Sequence, residues 1–209
     1  ESDFGEVIGP NIEIDGFGLF LNAFSDYVRR SGDTPFFENH FQTLSTEIAD
    51  AVIACTDTND LIRLDSGPWE RHLPGKRFAY TSIACAIGLR EFADLCVRSK
   101  PDNAEKYKRG YERLLNGIRR HLVVENRLIK GNTSAVDPNG YDYYDGGTFE
   151  AFTSGLMDDA TMFSSHVREY DRALGITTGP GFSRINKGDW YETAEWILLD
   201  LRVASAMHR

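Results

Sequence analysis

Asp65-Ser66-Gly67-Pro68-Trp69-Glu70 places a carboxylate directly behind a tryptophan in a Gly-Pro turn, with Arg71 and His72 following. An indole that excludes water from one side of a carboxyl favours its neutral form, the state a general acid needs near neutral pH. The plainer role for the same residues is a tryptophan that anchors a loop and a glutamate that pairs with Arg71.

Three more stretches have the composition of a binding mouth. Asn11-Ile12-Glu13-Ile14-Asp15-Gly16-Phe17-Gly18 opens a helical pattern, and Asp15 there has the type and place of an N-cap. The second, 137–147, is rich in aspartate, glycine and tyrosine. Its spacing superficially matches a calcium loop, but the central glycine and twelfth-position glutamate of an EF-hand do not line up, so a turn-rich loop is expected. The third, 179–192, carries Phe182, Arg184, Asp189, Trp190, Tyr191 and Glu192. Together the four supply carboxylates, aromatic rings and one arginine. Flat apolar faces stack on sugar rings, and charged groups hydrogen-bond sugar hydroxyls. Phosphate-cradling glycine loops and nucleophile elbows are absent, and Ser66 has no evident histidine partner.

The elements that must position these stretches read as helices. Apolar residues recur with helical period over 17–30, 36–55, 78–98, 101–121, 159–174 and 193–207, with a short helical segment at 147–152. The third is apolar nearly all round, so burial on most sides is expected. Strand signal is confined to Val123-Val124 and Leu128-Ile129, which suggest a small hairpin. Connections at 31–35 and 99–103 are short, whereas 56–76, 122–146 and 175–192 are long. Alternating helix direction puts the long loops and the Asp15 segment at one end. That pattern describes an all-α fold, an α/α toroid with a site at one mouth.

The 209 residues suffice for one domain. A net charge of -9 and the lack of a basic patch exclude nucleic acid and anionic membrane as expected partners. The run Lys106, Lys108, Arg109 to Arg120 reads as a solvated helix face. No apolar stretch approaches the roughly 20 residues of a membrane span, and the first residues lack signal-peptide character. Cys55, Cys85 and Cys96 lie in apolar helical patterns and read as buried thiols, which fits a reducing, cytoplasmic setting. The histidines His40, His72, His121, His166 and His208 are scattered without ligand spacing, so no metal and no cofactor is expected.

The four segments, in their order, resemble glycoside hydrolase family 15, the glucoamylase, glucodextranase and isomaltose-glucohydrolase group. Asp15-Gly16-Phe17-Gly18-Leu19 resembles the segment that enters one of its inner helices. Asp65 to Glu70, continued by Phe78-Ala79-Tyr80-Thr81, resembles the motif that carries the family's general acid. Gly181-Phe182-Ser183-Arg184, Asp189-Trp190-Tyr191 and Glu195-Trp196-Ile197 resemble its R-Y…D-x-Y…W stretch, with Ile185 where an aromatic is usual. The resemblance implies an (α/α)6 barrel. Residues 1–209 then form a single segment from the middle of that catalytic domain, without its N- and C-terminal helices. It also implies inversion at an α-glucosidic bond, with two carboxyls roughly 6.5–9.5 Å apart.

On this resemblance Glu70 is the acid, shielded by Trp69. Asp15, Arg184 and Asp189 hold glucose hydroxyls, and Phe182, Trp190 and Tyr191 shape the pocket. The general base falls beyond Arg209; Glu192 and Glu195 are the nearest carboxylates and neither is assigned to it. The expected substrates are small gluco-oligosaccharides, with α-1,6 linkage of the isomaltose type ahead of α-1,4, and trehalose is also hydrolysed within the family. The oligomeric state is open. Two other readings are a non-catalytic carbohydrate-binding or assembly fragment of a helical toroid, and another toroid enzyme such as an epimerase or lyase. Epimerases of that shape rely on paired histidines, and His72 alone lies near the mouth.

Overall fold

A computed structural model of the chain describes residues 11–70, 75–176, 179, 181–186 and 194–208. Helix α1 (Asp15–Ser31) buries Leu21, Phe24 and Val28 and stops at Gly32, whose left-handed backbone returns its N–H to Val28. Asp33 then caps α2 (Thr34–Thr43) by accepting the Phe36 N–H at 3.0 Å, with Pro35 in the first turn. The rod continues through a π-helical segment (Leu44–Ala49) into α3 (Asp50–Ala54). Helix α4 (Ala79–Cys96) is buried on almost every side, as its all-round apolar sequence requires.

Helix α5 (Pro101–His121) buries Tyr107, Leu114 and Ile118. Its outer face pairs Arg109 with Glu105 and Lys108 with Glu112, so the basic run is a solvated face. Strands β1 (Val123–Val124) and β2 (Leu128–Ile129) form the expected antiparallel hairpin. A 3-10 turn (Gly146–Phe149) leads into α6 (Glu150–Thr153), followed by α7 (Ala160–Leu174) and α8 (Ile197–His208).

Pairwise contacts fix the directions. Arg29 of α1 reaches Glu91 of α4, while Gly18 lies against Ala84, so α1 and α4 run parallel. Phe92 meets Tyr107 and Leu89 lies by Gly110, so α5 returns antiparallel to α4. Tyr80 lies by Gly147 and Arg90 by Ser154, so the short α6 continues the parallel inner set. Leu199 lies by Gly146 and Arg202 by Glu150, which adds α8 to that set. The returns α2–α3, α5 and α7 form an outer layer. The architecture is a partial α/α barrel of alternating inner and outer helices.

The main core lies between α1, α2–α3, α4 and α5, centred on Leu21, Ile83, Leu89, Phe92 and Ile118. A second, aromatic-rich cluster lies under the long-loop end: Phe78, Tyr143, Phe149, Tyr170, Phe182 and Trp69. Both lateral helices of the inner layer expose apolar side chains, Phe17, Leu19 and Phe20 on α1 and Leu198, Leu201 and Met207 on α8. Among the described residues no helix is long and apolar enough to cross a membrane, and no three His, Cys, Asp or Glu side chains cluster as metal ligands.

Candidate functional site

The long-loop end gathers the sequence-selected segments. Residues 12–14 pair with the loop after α3. Ser66 donates its backbone N–H to Ile12 O (2.8 Å), and its Oγ accepts the Ile12 N–H (3.0 Å). Asp65 Oδ2 accepts the Ile14 N–H (3.3 Å) and the Thr81 hydroxyl (3.0 Å). Asp15 therefore stands beside Asp65, both nearly fully buried. Burial pushes the Asp65 carboxyl up from 3.8 to about 7, and the nearby Asp15 charge adds to the rise. Burial also raises Asp15, helped by Glu13 and opposed by the backbone N–H groups of Asp15 and Gly16 and by Arg202. One oxygen of each carboxylate has no hydrogen-bond partner among the described residues.

Asp15 is not the N-cap that its sequence position suggests. Ile14 occupies that place without a side-chain cap bond, and Asp15 is the first helical residue. Its carboxylate belongs to the mouth, because the Ser66 and Asp65 contacts hold residues 12–14 against the neighbouring loop.

Trp69 is 7% exposed. Its indole N–H donates to Asp145 Oδ1 at 3.0 Å, and its ring meets Trp196 edge-on with centroids 5.5 Å apart. Arg184 is buried with its guanidinium 5.9 Å from the Trp69 ring centroid and 5.4 Å from that of Trp196. Glu70 follows Trp69 at the surface, at a left-handed φ of +50°. Its N–H closes the turn onto Gly67 O. A non-glycine residue in that region carries a backbone cost of about 1–2 kcal/mol. Arg71 and His72 lie outside the described residues, as do Asp189, Trp190, Tyr191 and Glu192 of the 179–192 stretch.

Phe182 is buried and packs on Phe149, with centroids 5.6 Å apart, so it supports the mouth from below. Ile185 is buried too and pairs with Asp145 as an isolated bridge, and Gly146 donates to Arg184 O at 2.8 Å. Glu195 was expected to begin the last helix but lies two residues ahead of α8. The Trp196 N–H bonds Phe182 O, which holds this lead-in out of helical register. A hydrogen bond with Asp200, slight burial and the Asp200 charge raise the Glu195 carboxyl above its ordinary value.

The stretch 137–147 is not a cation loop, because its carboxylates face different partners. Asp137 accepts the Arg77 and Asn139 backbone N–H groups and the Asn132 amide, Asp142 pairs with Lys130, and Asp145 holds Trp69. Tyr143 is buried and donates to Arg77 O. Tyr141 and Tyr144 lie under the ammonium groups of Lys76 and Lys130. The tyrosine run is thus built into the loop scaffold.

Behind Asp145 lies a closed ring of hydrogen bonds. The Ile129 N–H donates to His166 Nδ1 (3.2 Å), which assigns the imidazole proton to Nε2, facing Thr148 Oγ1 (3.2 Å). The Thr148 hydroxyl donates to Asp145 O (2.7 Å), and the Asp145 N–H donates to the Tyr170 hydroxyl (3.3 Å). Tyr170 donates to Ile129 O at 2.6 Å, closing the ring. Burial lowers His166 to about 3, so the imidazole stays neutral as this assignment requires.

Sequence reasoning selected Asp15, Trp69 and Arg184, and the structure brings all three to one mouth. It missed Asp65, Asp145 and Trp196 as members of that mouth. Asp65 heads the loop motif and Trp196 ends the last one, so both were visible as motif residues. Asp145 sat in a stretch that had only a turn signature.

No family model matches the sequence, and no curated protein does. Among solved structures the chain matches one described as a glycosidase with a glutamate-to-alanine substitution, at a TM-score of 0.72 and 20% identity. It shares its fold with a glycosidase. The match covers 93% of this chain and 51% of that one, so the chain spans about half the length of the solved structure. At this identity the likeness establishes the all-helical barrel architecture.

Proposed function

We propose that this chain is the central part of the catalytic domain of a glycoside hydrolase resembling family 15. It releases β-D-glucose from the non-reducing ends of α-glucosides by inversion. Glu70 is the general acid, and the base is supplied from beyond Arg209. Asp15 and Arg184 hold glucose hydroxyls together with Asp189, and Trp69 walls the pocket with Trp190 and Tyr191. Short α-1,6-linked substrates are preferred and the enzyme works in the cytoplasm.

The observation that carries this reading is the gathering of buried Asp15 and Asp65, and of buried Arg184 packed against Trp69 and Trp196, at the mouth of a barrel of glycosidase fold. The buried oxygens of Asp15 and Asp65 that lack a donor among the described residues suit an incoming polyol, whose hydroxyls supply one. The exposed apolar side chains of α1 and α8 suit a barrel that continues past both edges. The same faces are the specific support for the second reading, a non-catalytic assembly fragment.

Time-resolved proton NMR of isomaltose, maltose and trehalose with the full-length protein tests the first reading. β-Glucose appearing ahead of mutarotation supports it and ranks the linkages. All three sugars intact would favour the assembly fragment.

A further inference from the structure

The loop that carries Glu70 is anchored twice. Asp65 and Ser66 tie its start to residues 12–14, and the Trp69 indole ties its end to Asp145. Glu70 is the next residue, one virtual bond of about 3.8 Å along the chain. A swing of Trp69 therefore carries the Glu70 backbone with it.

Asp145 is built to hold still. It is wholly buried, and its Oδ1 accepts the Gly147 N–H at 2.7 Å as well as the indole at 3.0 Å. Its main chain is fixed on both sides by the ring through Thr148 and Tyr170. Hydrogen bonds to a charged acceptor are roughly twice as strong as neutral ones, and a carboxylate sealed from water loses none of that to competition.

Resting on the hydrolase reading above, we propose that Asp145 is a positioning residue for the reaction, acting through the Trp69 indole N–H to fix the orientation of the Glu70 turn. The ring of Ile129, His166, Thr148 and Tyr170 is its foundation, and links the outer helix α7 to the mouth.

The test is a double-substitution cycle in the full-length enzyme with Asp145→Asn, Trp69→Phe and both together. Asparagine keeps the shape and weakens the acceptor; phenylalanine keeps most of the ring and removes the donor. Asp145→Asn is expected to lower kcat about ten-fold, the scale of one buried hydrogen bond, with KM within about two-fold, and Trp69→Phe, which also trims a wall of the pocket, to lower kcat at least as much and to raise KM. The double variant is expected to be no slower than Trp69→Phe alone. The indole N–H resonance of Trp69, identified by its loss in Trp69→Phe, should shift in Asp145→Asn.

An unmoved resonance, or a double variant slowed by the product of the two single losses, overturns the proposal. Wild-type enzyme that cleaves no α-glucoside overturns the hydrolase reading and the proposal with it. Multiplying losses in an active enzyme overturn the proposal alone.

Discussion

Gly18 of α1 and Gly88 of α4 cross so closely that a Cβ on Gly88 would fall on the backbone of Gly18, and one on Gly18 on the backbone of Ala84. The parallel inner helices touch main chain to main chain here, one turn into the helix that Asp15 begins. Glycine is needed for approach, not for its backbone freedom.

Gly88→Ala should therefore cost about 3 kcal/mol or more, because the obstacle is backbone and cannot rotate away. Gly16→Ala, where an added Cβ meets nothing within 4 Å, should lie within about 1 kcal/mol of wild type. Urea denaturation of the two variants reads the contrast directly. Equal stabilities would mean that the helices do not cross at this contact.

Asp65 makes a pH prediction whose sign follows from its raised value of about 7 against an ordinary 3.8. Between those two pH values the folded protein keeps the proton while the unfolded chain has lost it. The stability this gives is complete below about pH 4 and is lost as pH rises to about 7. At about 1.4 kcal/mol per pH unit the change amounts to a few kcal/mol. Asp65→Asn keeps an acceptor for Ile14 and Thr81 without the buried charge. Its stability relative to wild type should climb from pH 4 to pH 7 and then level off. Thermal melts of both proteins at several pH values decide this, and a constant difference would contradict it.

His166 acts in the opposite direction. Its folded value of about 3 lies below the usual 6.5, so the unfolded chain takes up a proton first as pH falls. The stability tied to neutral His166 is present above about pH 6.5 and is lost progressively towards pH 3. His166→Gln should be less stable than wild type at pH 7, because the ring with Ile129 and Thr148 is weakened, by about 1–3 kcal/mol. That deficit should shrink, or reverse, by pH 4. In wild-type protein the Asp65 and His166 slopes oppose each other between about pH 4 and 6.5, so the single variants show more than the parent does.

The helix pattern was legible because burial imposes a period. The all-round apolar run from Ile83 to Leu89 marked the central helix, and the amphipathic stripes marked its neighbours. Alternating direction then placed the long loops at one end, which needs no side-chain detail. The mouth itself was legible where a residue type announces a role, as with Trp69, Arg184 and Asp15. Asp145 was not, because its importance lies in a contact with Trp69, 76 positions earlier in the chain. The sequence left a cap open as the alternative role of Asp15 for the same reason: the bonds that hold residues 12–14 in place come from Asp65 and Ser66, far along the sequence. Ile185 in place of an aromatic also made sense only in three dimensions, where it is buried beside Asp145.

Glu70 supports the most direct chemical prediction. A general acid contributes about 10²–10⁴-fold when the leaving group needs a proton, so Glu70→Gln should slow release of glucose from isomaltose by that much. Binding of glucose to the variant, followed by calorimetry, should change little, because glutamine keeps the size and polarity of the side chain. α-D-Glucosyl fluoride departs without protonation, so its turnover should fall far less than that of isomaltose. Equal losses on both substrates would remove Glu70 from the acid role even in an active enzyme. The backbone gives a second handle on the same residue. At φ +50° glutamate is strained where glycine is not, so Glu70→Gly should match wild-type stability or exceed it by up to about 1 kcal/mol while losing hydrolysis. A residue whose removal relaxes the fold and abolishes turnover is held there by the reaction.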